Sequence, residues 1–160
     1  MTVYYLDDLR VGQHFTSGSQ VLDEAQIKRF ASEFDPQPFH LDEVAAKATV
    51  FGGLAASGWH TAAVTMRLLV QVGRPIAGGI IGYGGELSWL KPTRPGDTLS
   101  VVSEIVEITP SRSQPNRGSV RVCSETRNQH GEVVQTFTAR LVVPRQIGST
   151  SGDAAVDPGP

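Results

Sequence analysis

The chain has one cysteine, no surplus of basic residues and no long apolar run. A single cysteine excludes an intrachain disulfide framework and any zinc cluster built on cysteines. Lys and Arg number 14 against 16 Asp and Glu, a net charge of −2, so the basic excess of a nucleic-acid-binding domain is missing. No segment approaches the roughly 18 consecutive apolar residues of a membrane-spanning helix. The N-terminal residues MTVYYLDD lack the basic region and apolar stretch of a secretory signal. A cytoplasmic protein is expected, with no nucleic-acid or membrane partner. Charged residues are also sparse, at 19%, which argues against wholesale disorder. At 160 residues the chain can bury roughly 68–70% of its unfolded surface in one core. The expected organisation is one domain over residues 1–147. The run GSTSGDAAVDPGP, residues 148–160, carries no core-forming pattern and reads as a disordered tail.

Asp23 followed by Gln26 resembles a capping box. Ile27, Phe30, Ala31 and Phe34 then form one apolar stripe at helical spacing. That helix must end before Pro36, because the residue before a proline avoids the α region. Asp42 can cap a second, short helix through Thr49. A third helix starts at Ser57, a good N-cap, and runs from Gly58 to a stop at Gly73. Its apolar residues cover nearly the whole circumference, which predicts a buried helix wrapped by protein. Residues 80–90, 98–108, 119–128 and 132–143 read as strands. In the last of these Val133, Phe137, Ala139, Leu141 and Val143 share one face. The turn PTRPGD and the hairpin Asn128–Gly131 join them. Antiparallel strands wrapped around one long buried helix define an α+β fold.

Two segments could carry chemistry. In Asp35-Pro36-Gln37-Pro38-Phe39-His40 the prolines stiffen a non-helical loop that holds a carboxylate and an imidazole five residues apart. Such a pair can bind and deprotonate water, and imidazole titrates near working pH. It can equally be a turn cap and a core histidine. In Gly52-Gly53-Leu54-Ala55-Ala56-Ser57-Gly58-Trp59, a glycine-rich entry leaves unpaired N–H groups at the positive end of a helix. That suits an oxyanion, although a plain tight turn reads the same way. Together they provide what addition of water to an α,β-unsaturated thioester requires: one group for the proton and one for charge on the carbonyl oxygen.

The stretch from Phe30 to Asp42 resembles the hydratase motif, Asp-x-Asn-Pro-x-His, of the MaoC-like dehydratases, which include the R-specific enoyl-CoA hydratases. The resemblance continues through FGGLAASGWHTAAVTMRLL to GGELSWLKPTRPGDTL and spans roughly residues 4–145. It implies a hot-dog fold, a curved antiparallel sheet around one long helix, and dimers or higher homo-oligomers with sites near the subunit interface. It implies that Asp35 and His40 activate the water and that the Gly58 N–H forms the oxyanion hole. An acyl-CoA is the implied substrate, with no separate cofactor and no metal. The chain departs from the pattern in three places, one of them Ala63, where some members carry a serine one turn into the helix. Gln37 replaces the motif Asn, which bears on substrate range, and Ser57 stands where many members carry His. Ser57, Gln37 and Trp59 are therefore expected to contact substrate. Trp59 and His60 could floor a short acyl pocket or pack in the core. Lys91, Arg94, Arg112 and Arg117 could meet the phosphates of coenzyme A or simply face solvent. His14 and His130 read as surface residues.

Two other functions fit the same fold. A hot-dog thioesterase often takes a carboxylate from the long helix, but residues 58–73 contain no Asp or Glu. A non-catalytic acyl-CoA-binding or structural subunit would have no need to keep both Asp35 and His40.

Overall fold

The computed structural model describes residues 3–72 and 75–146. The expected tail and the expected helix stop at Gly73 lie outside the described residues. Five strands form one antiparallel sheet: β1 (His14–Val21), β2 (Ile81–Trp89), β3 (Thr98–Pro110), β4 (Arg117–Arg127) and β5 (Val133–Pro144), in the order β1-β3-β4-β5-β2. Four helices precede β2: α1 (Glu24–Phe34), α2 (Pro38–Leu41), α3 (Glu43–Lys47) and α4 (Gly58–Val70). This is the α+β hot-dog arrangement, with the sheet curved around α4. Among the described residues no helix is long and apolar enough to cross a membrane.

The capping box of α1 forms reciprocally: Gln26 N–H donates to Asp23 Oδ1 at 2.8 Å, and Asp23 N–H donates to Gln26 Oε1 at 3.0 Å. The predicted stripe seats Ile27 and Ala31 with no exposed surface, while Phe34 at the helix end is 68% exposed. One core cluster joins Leu22 and Ile27 to Leu54, Val64, Leu68, Leu99 and Val101. A second, around Leu6, Leu9, Ile105, Val120, Leu141 and Val143, closes the far end of the sheet. Each fully buried Leu or Ile contributes roughly 1.5–3 kcal/mol.

The structure differs from the sequence reading at three places. The segment after Asp35 is not wholly non-helical. Pro38 occupies the first turn of α2, where its fixed φ suits a helix and its missing N–H costs nothing. Strand β1 was not expected, because HFTSGSQV shows no apolar alternation; it is an edge strand, and its pairing to β3 shifts between Thr16 and Ser19. Finally, α4 is buried on one side only. Thr61, Val64, Thr65 and Leu68 are buried, while Trp59 and Val70 are 60% and 55% exposed. One sheet has one inner face, so a single chain can cover only one side of the helix.

Candidate active site

The end of α1 delivers Asp35, and the first turn of α2 delivers His40. Pro36 terminates α1, and the Asp35 N–H closes its last turn by donating to the Ala31 carbonyl at 2.9 Å. His40 is buried, 4% exposed. Its Nδ1 lies 2.7 Å from the Ala55 carbonyl. A carbonyl only accepts, so Nδ1 carries the hydrogen and Nε2 is the atom free for proton exchange. Nε2 stands 3.3 Å from Asp35 Oδ2. The two residues singled out by sequence therefore meet.

Asp35 has two further partners. The Ser57 hydroxyl donates to Oδ2 at 2.7 Å, and the Gln37 side-chain amide donates to Oδ1 at 2.6 Å. Burial pushes the Asp35 carboxyl up. The donors Ser57 and Gln37, with the His40 charge, outweigh that and hold it below its ordinary value of 3.8. Hydrogen bonds to the ionised form stabilise it, so Asp35 is an anion at neutral pH.

The start of α4 faces the same space. Of the N–H groups in its first turn, Trp59 donates to Ser57 Oγ at 3.2 Å, and His60 and Thr61 donate to the Ser57 carbonyl at 3.0 and 3.1 Å. That leaves the Gly58 N–H as the donor without a partner among the described residues. It sits at the positive end of the helix dipole. A cavity of about 420 Å³ is lined by Asp35, Gln37, His40, Gly58 and Trp59. Five of the six expected site residues thus surround one space. Ser57 is the exception. It has no exposed surface, and its hydroxyl is committed to Asp35 and to the Trp59 N–H.

The entry loop is held in place by Arg94, delivered by the PTRPGD turn. Its guanidinium donates to the carbonyls of Phe51, Gly53 and Leu54. This places Arg94 in the loop's support rather than among free phosphate-binding cations. Lys91 lines the cavity and pairs with Glu132. His14 and His130 are exposed, as expected.

Trp89 was not anticipated from sequence. It lines the cavity and packs edge-on against Trp59, with ring centroids 5.1 Å apart. It also explains Gly58: a Cβ there would lie 2.4 Å from Trp89 Cε2. The indole N–H donates to Gln135 Oε1 at 3.0 Å, the Gln135 amide donates to Thr65 Oγ1 at 3.0 Å, and Thr65 Oγ1 lies 2.6 Å from Thr126 Oγ1. All four groups of this network find partners, as buried polar groups require. A signal was available in the sequence: Gln135 shares the inward face of β5 with Phe137 and Ala139, and a polar residue there needs a buried partner.

Residues 8–128 match the family model of the MaoC like domain, and the chain belongs to that family. It is 60% identical to a MaoC-like dehydratase from Rhodospirillum rubrum, with a TM-score of 0.87 over 89% of this chain and 98% of that one. It is similar to the R-hydratase PhaJ1 from Pseudomonas aeruginosa, 29% identical with a TM-score of 0.71, covering 89% of this chain and 86% of that one. It is also 32% identical over 118 residues to a 3-hydroxybutyryl-CoA dehydratase from Methylorubrum extorquens, covering 70% of each chain.

Proposed function

We propose that this protein reversibly adds water to a trans-2-enoyl-CoA, giving the (R)-3-hydroxyacyl-CoA. The observation that carries the reading is the Asp35–His40 pair sharing one cavity with the unpartnered Gly58 N–H. In the forward direction the carboxylate–imidazole pair takes a proton from water as the water oxygen bonds to Cβ. The electron pair of the double bond moves through Cα to the thioester oxygen, where the Gly58 N–H stabilises the charge. The enolate then collapses by taking a proton at Cα from the same pair. Oxidation states balance across the addition, so no redox cofactor enters the reaction. The named relatives, an R-hydratase and a 3-hydroxybutyryl-CoA dehydratase, support both the reaction class and the hand. Gln37 and Trp59, on the cavity wall, contact the substrate in this reading.

The working unit is a homodimer. β2 is an edge strand whose Ile81, Tyr83 and Trp89 are 54%, 54% and 45% exposed. A long apolar edge needs covering, and a second copy supplies the matching edge.

The test is a hydration assay on the purified chain with a short and a medium trans-2-enoyl-CoA. Loss of enoyl absorbance, an R product and no release of free thiol are expected. Asp35→Asn and His40→Gln should each lower turnover by roughly 10²–10⁴-fold, the usual worth of positioned acid–base catalysis. Unchanged turnover in either variant would sink the assignment of that residue.

A further inference from the structure

We infer that Ser57 is a positioning residue, one that ties the catalytic carboxylate to the start of the oxyanion helix. The inference rests on the hydratase reading and gives Ser57 a role different from substrate contact.

A serine hydroxyl has one hydrogen to donate and can accept two. At Ser57 the acceptor side caps α4 through the Trp59 N–H at 3.2 Å. The hydrogen goes to Asp35 Oδ2 at 2.7 Å, across 22 residues of chain. Bonds of that length to an ionised acceptor are among the strong ones. Ser57 has no exposed surface, so neither solvent nor substrate competes for the hydroxyl. The bond therefore joins the end of α1 to the start of α4, the two elements that carry the proton-handling and charge-stabilising groups. A displacement of one would be transmitted to the other.

The bond also fixes which oxygen of Asp35 works. A carboxylate offers about four lone-pair positions. Oδ2 faces both the Ser57 hydroxyl and His40 Nε2, while Oδ1 receives Gln37 alone. The remaining position, on Oδ1, is where the reactive water is received. The titratable group packed against Asp35 is His40, from α2; Ser57 from α4 and Gln37 from the connecting segment are neutral. His60, also on α4, stacks instead on Phe30 beside Arg29.

Two variants separate this role from simple helix capping. Glycine is nearly as good an N-cap as serine and alanine is a poor one, but neither can donate to Asp35. The measurement is a ¹³C NMR titration of the Asp35 carboxyl in the full chain, parent against Ser57→Gly and Ser57→Ala, with kcat and KM for a short enoyl-CoA. Both variants are expected to raise the Asp35 pKa by roughly one unit or more. Both should lower kcat by between roughly tenfold and a hundredfold with KM little changed. A carboxyl that titrates as in the parent in both variants overturns the inference, as does a loss confined to Ser57→Ala, which would mark a cap and nothing more. The functional reading is checked separately in the same series: if Asp35→Asn hydrates as fast as the parent, that reading falls whatever the titration shows.

Discussion

Two imidazoles are buried in the structure and are held differently. His40 gives Nδ1 to the Ala55 carbonyl and turns Nε2 toward Asp35 at 3.3 Å. His60 is 8% exposed and stacks flat on Phe30 at 4.5 Å, yet its Nδ1 has no hydrogen-bond partner. Burial, and then the charge of Arg29, hold His60 below its ordinary value of 6.5. As pH falls below that value, the unfolded chain takes up a proton that the folded chain refuses. Stability therefore drops with acidification until the folded-state value is passed. His60→Phe keeps the stack and removes the titration. Its stability relative to the parent should rise between about pH 7.5 and about pH 5.5, measured by urea melts. A difference that stays flat with pH would show that the imidazole takes up its proton alike in the folded and the unfolded chain.

At the scale of elements, the contact between α4 and β2 sets the shape of the site. Trp89 is locked by Gln135 and lies across Gly58, so the helix start cannot carry a side chain. Gly58→Ala forces the indole or the helix to move, which costs about 1–3 kcal/mol as overpacking and displaces the proposed oxyanion donor. Lower stability in urea and a lower kcat are expected together. Trp89→Ala in the same chain should recover part of the stability, because the clash is removed. If the double variant is destabilised by the sum of the two single effects, Gly58 and Trp89 do not meet as described. Glycine serves β2 in a related way at Gly85, where a Cβ would stand 2.5 Å from the Thr138 carbonyl. That close approach lets β2 lie tightly against β5.

For the whole molecule, the two sheet edges are treated unequally. Both edge strands carry a register shift, but β1 is polar, which discourages pairing. β2 exposes Ile81, Tyr83 and Trp89, and α4 exposes Met66 and Val70. An apolar cavity of about 390 Å³, with Met66, Leu69, Ile80 and Phe137 in its wall, opens on the α4 side of the sheet. Sedimentation at micromolar concentration should give a mass about twice the 17.1 kDa of the chain, as expected for a two-fold pair that covers this side. A monomer under those conditions would require some other cover for the apolar face.

Local chemistry made much of this legible in advance. The capping box at Asp23, the proline stop after α1, the Ser57 cap and the alternation of β5 from Phe137 to Val143 depend on neighbours a few residues away, and each forms as read, whereas at the start of β5 Val134 and not Val133 enters the core. The strand limits fall within two residues of those expected. Asp35, His40 and Gly58 could be singled out because a rigid proline segment and a glycine before an apolar helix are local patterns. Strand β1 was hidden because an edge strand need not alternate. The partial burial of α4 was hidden because an apolar circumference cannot say which neighbour covers which side. Ser57 pointed to substrate by its position beside Gly58, whereas folding turned it toward a carboxylate 22 residues earlier. Trp89, Gln135 and Thr65 became one network through contacts 46 and 70 residues apart. Capping, stopping and alternation are short-range forces written into adjacent residues. Which hydroxyl meets which carboxylate depends on long-range packing, and that exists only once the sheet has closed around the helix.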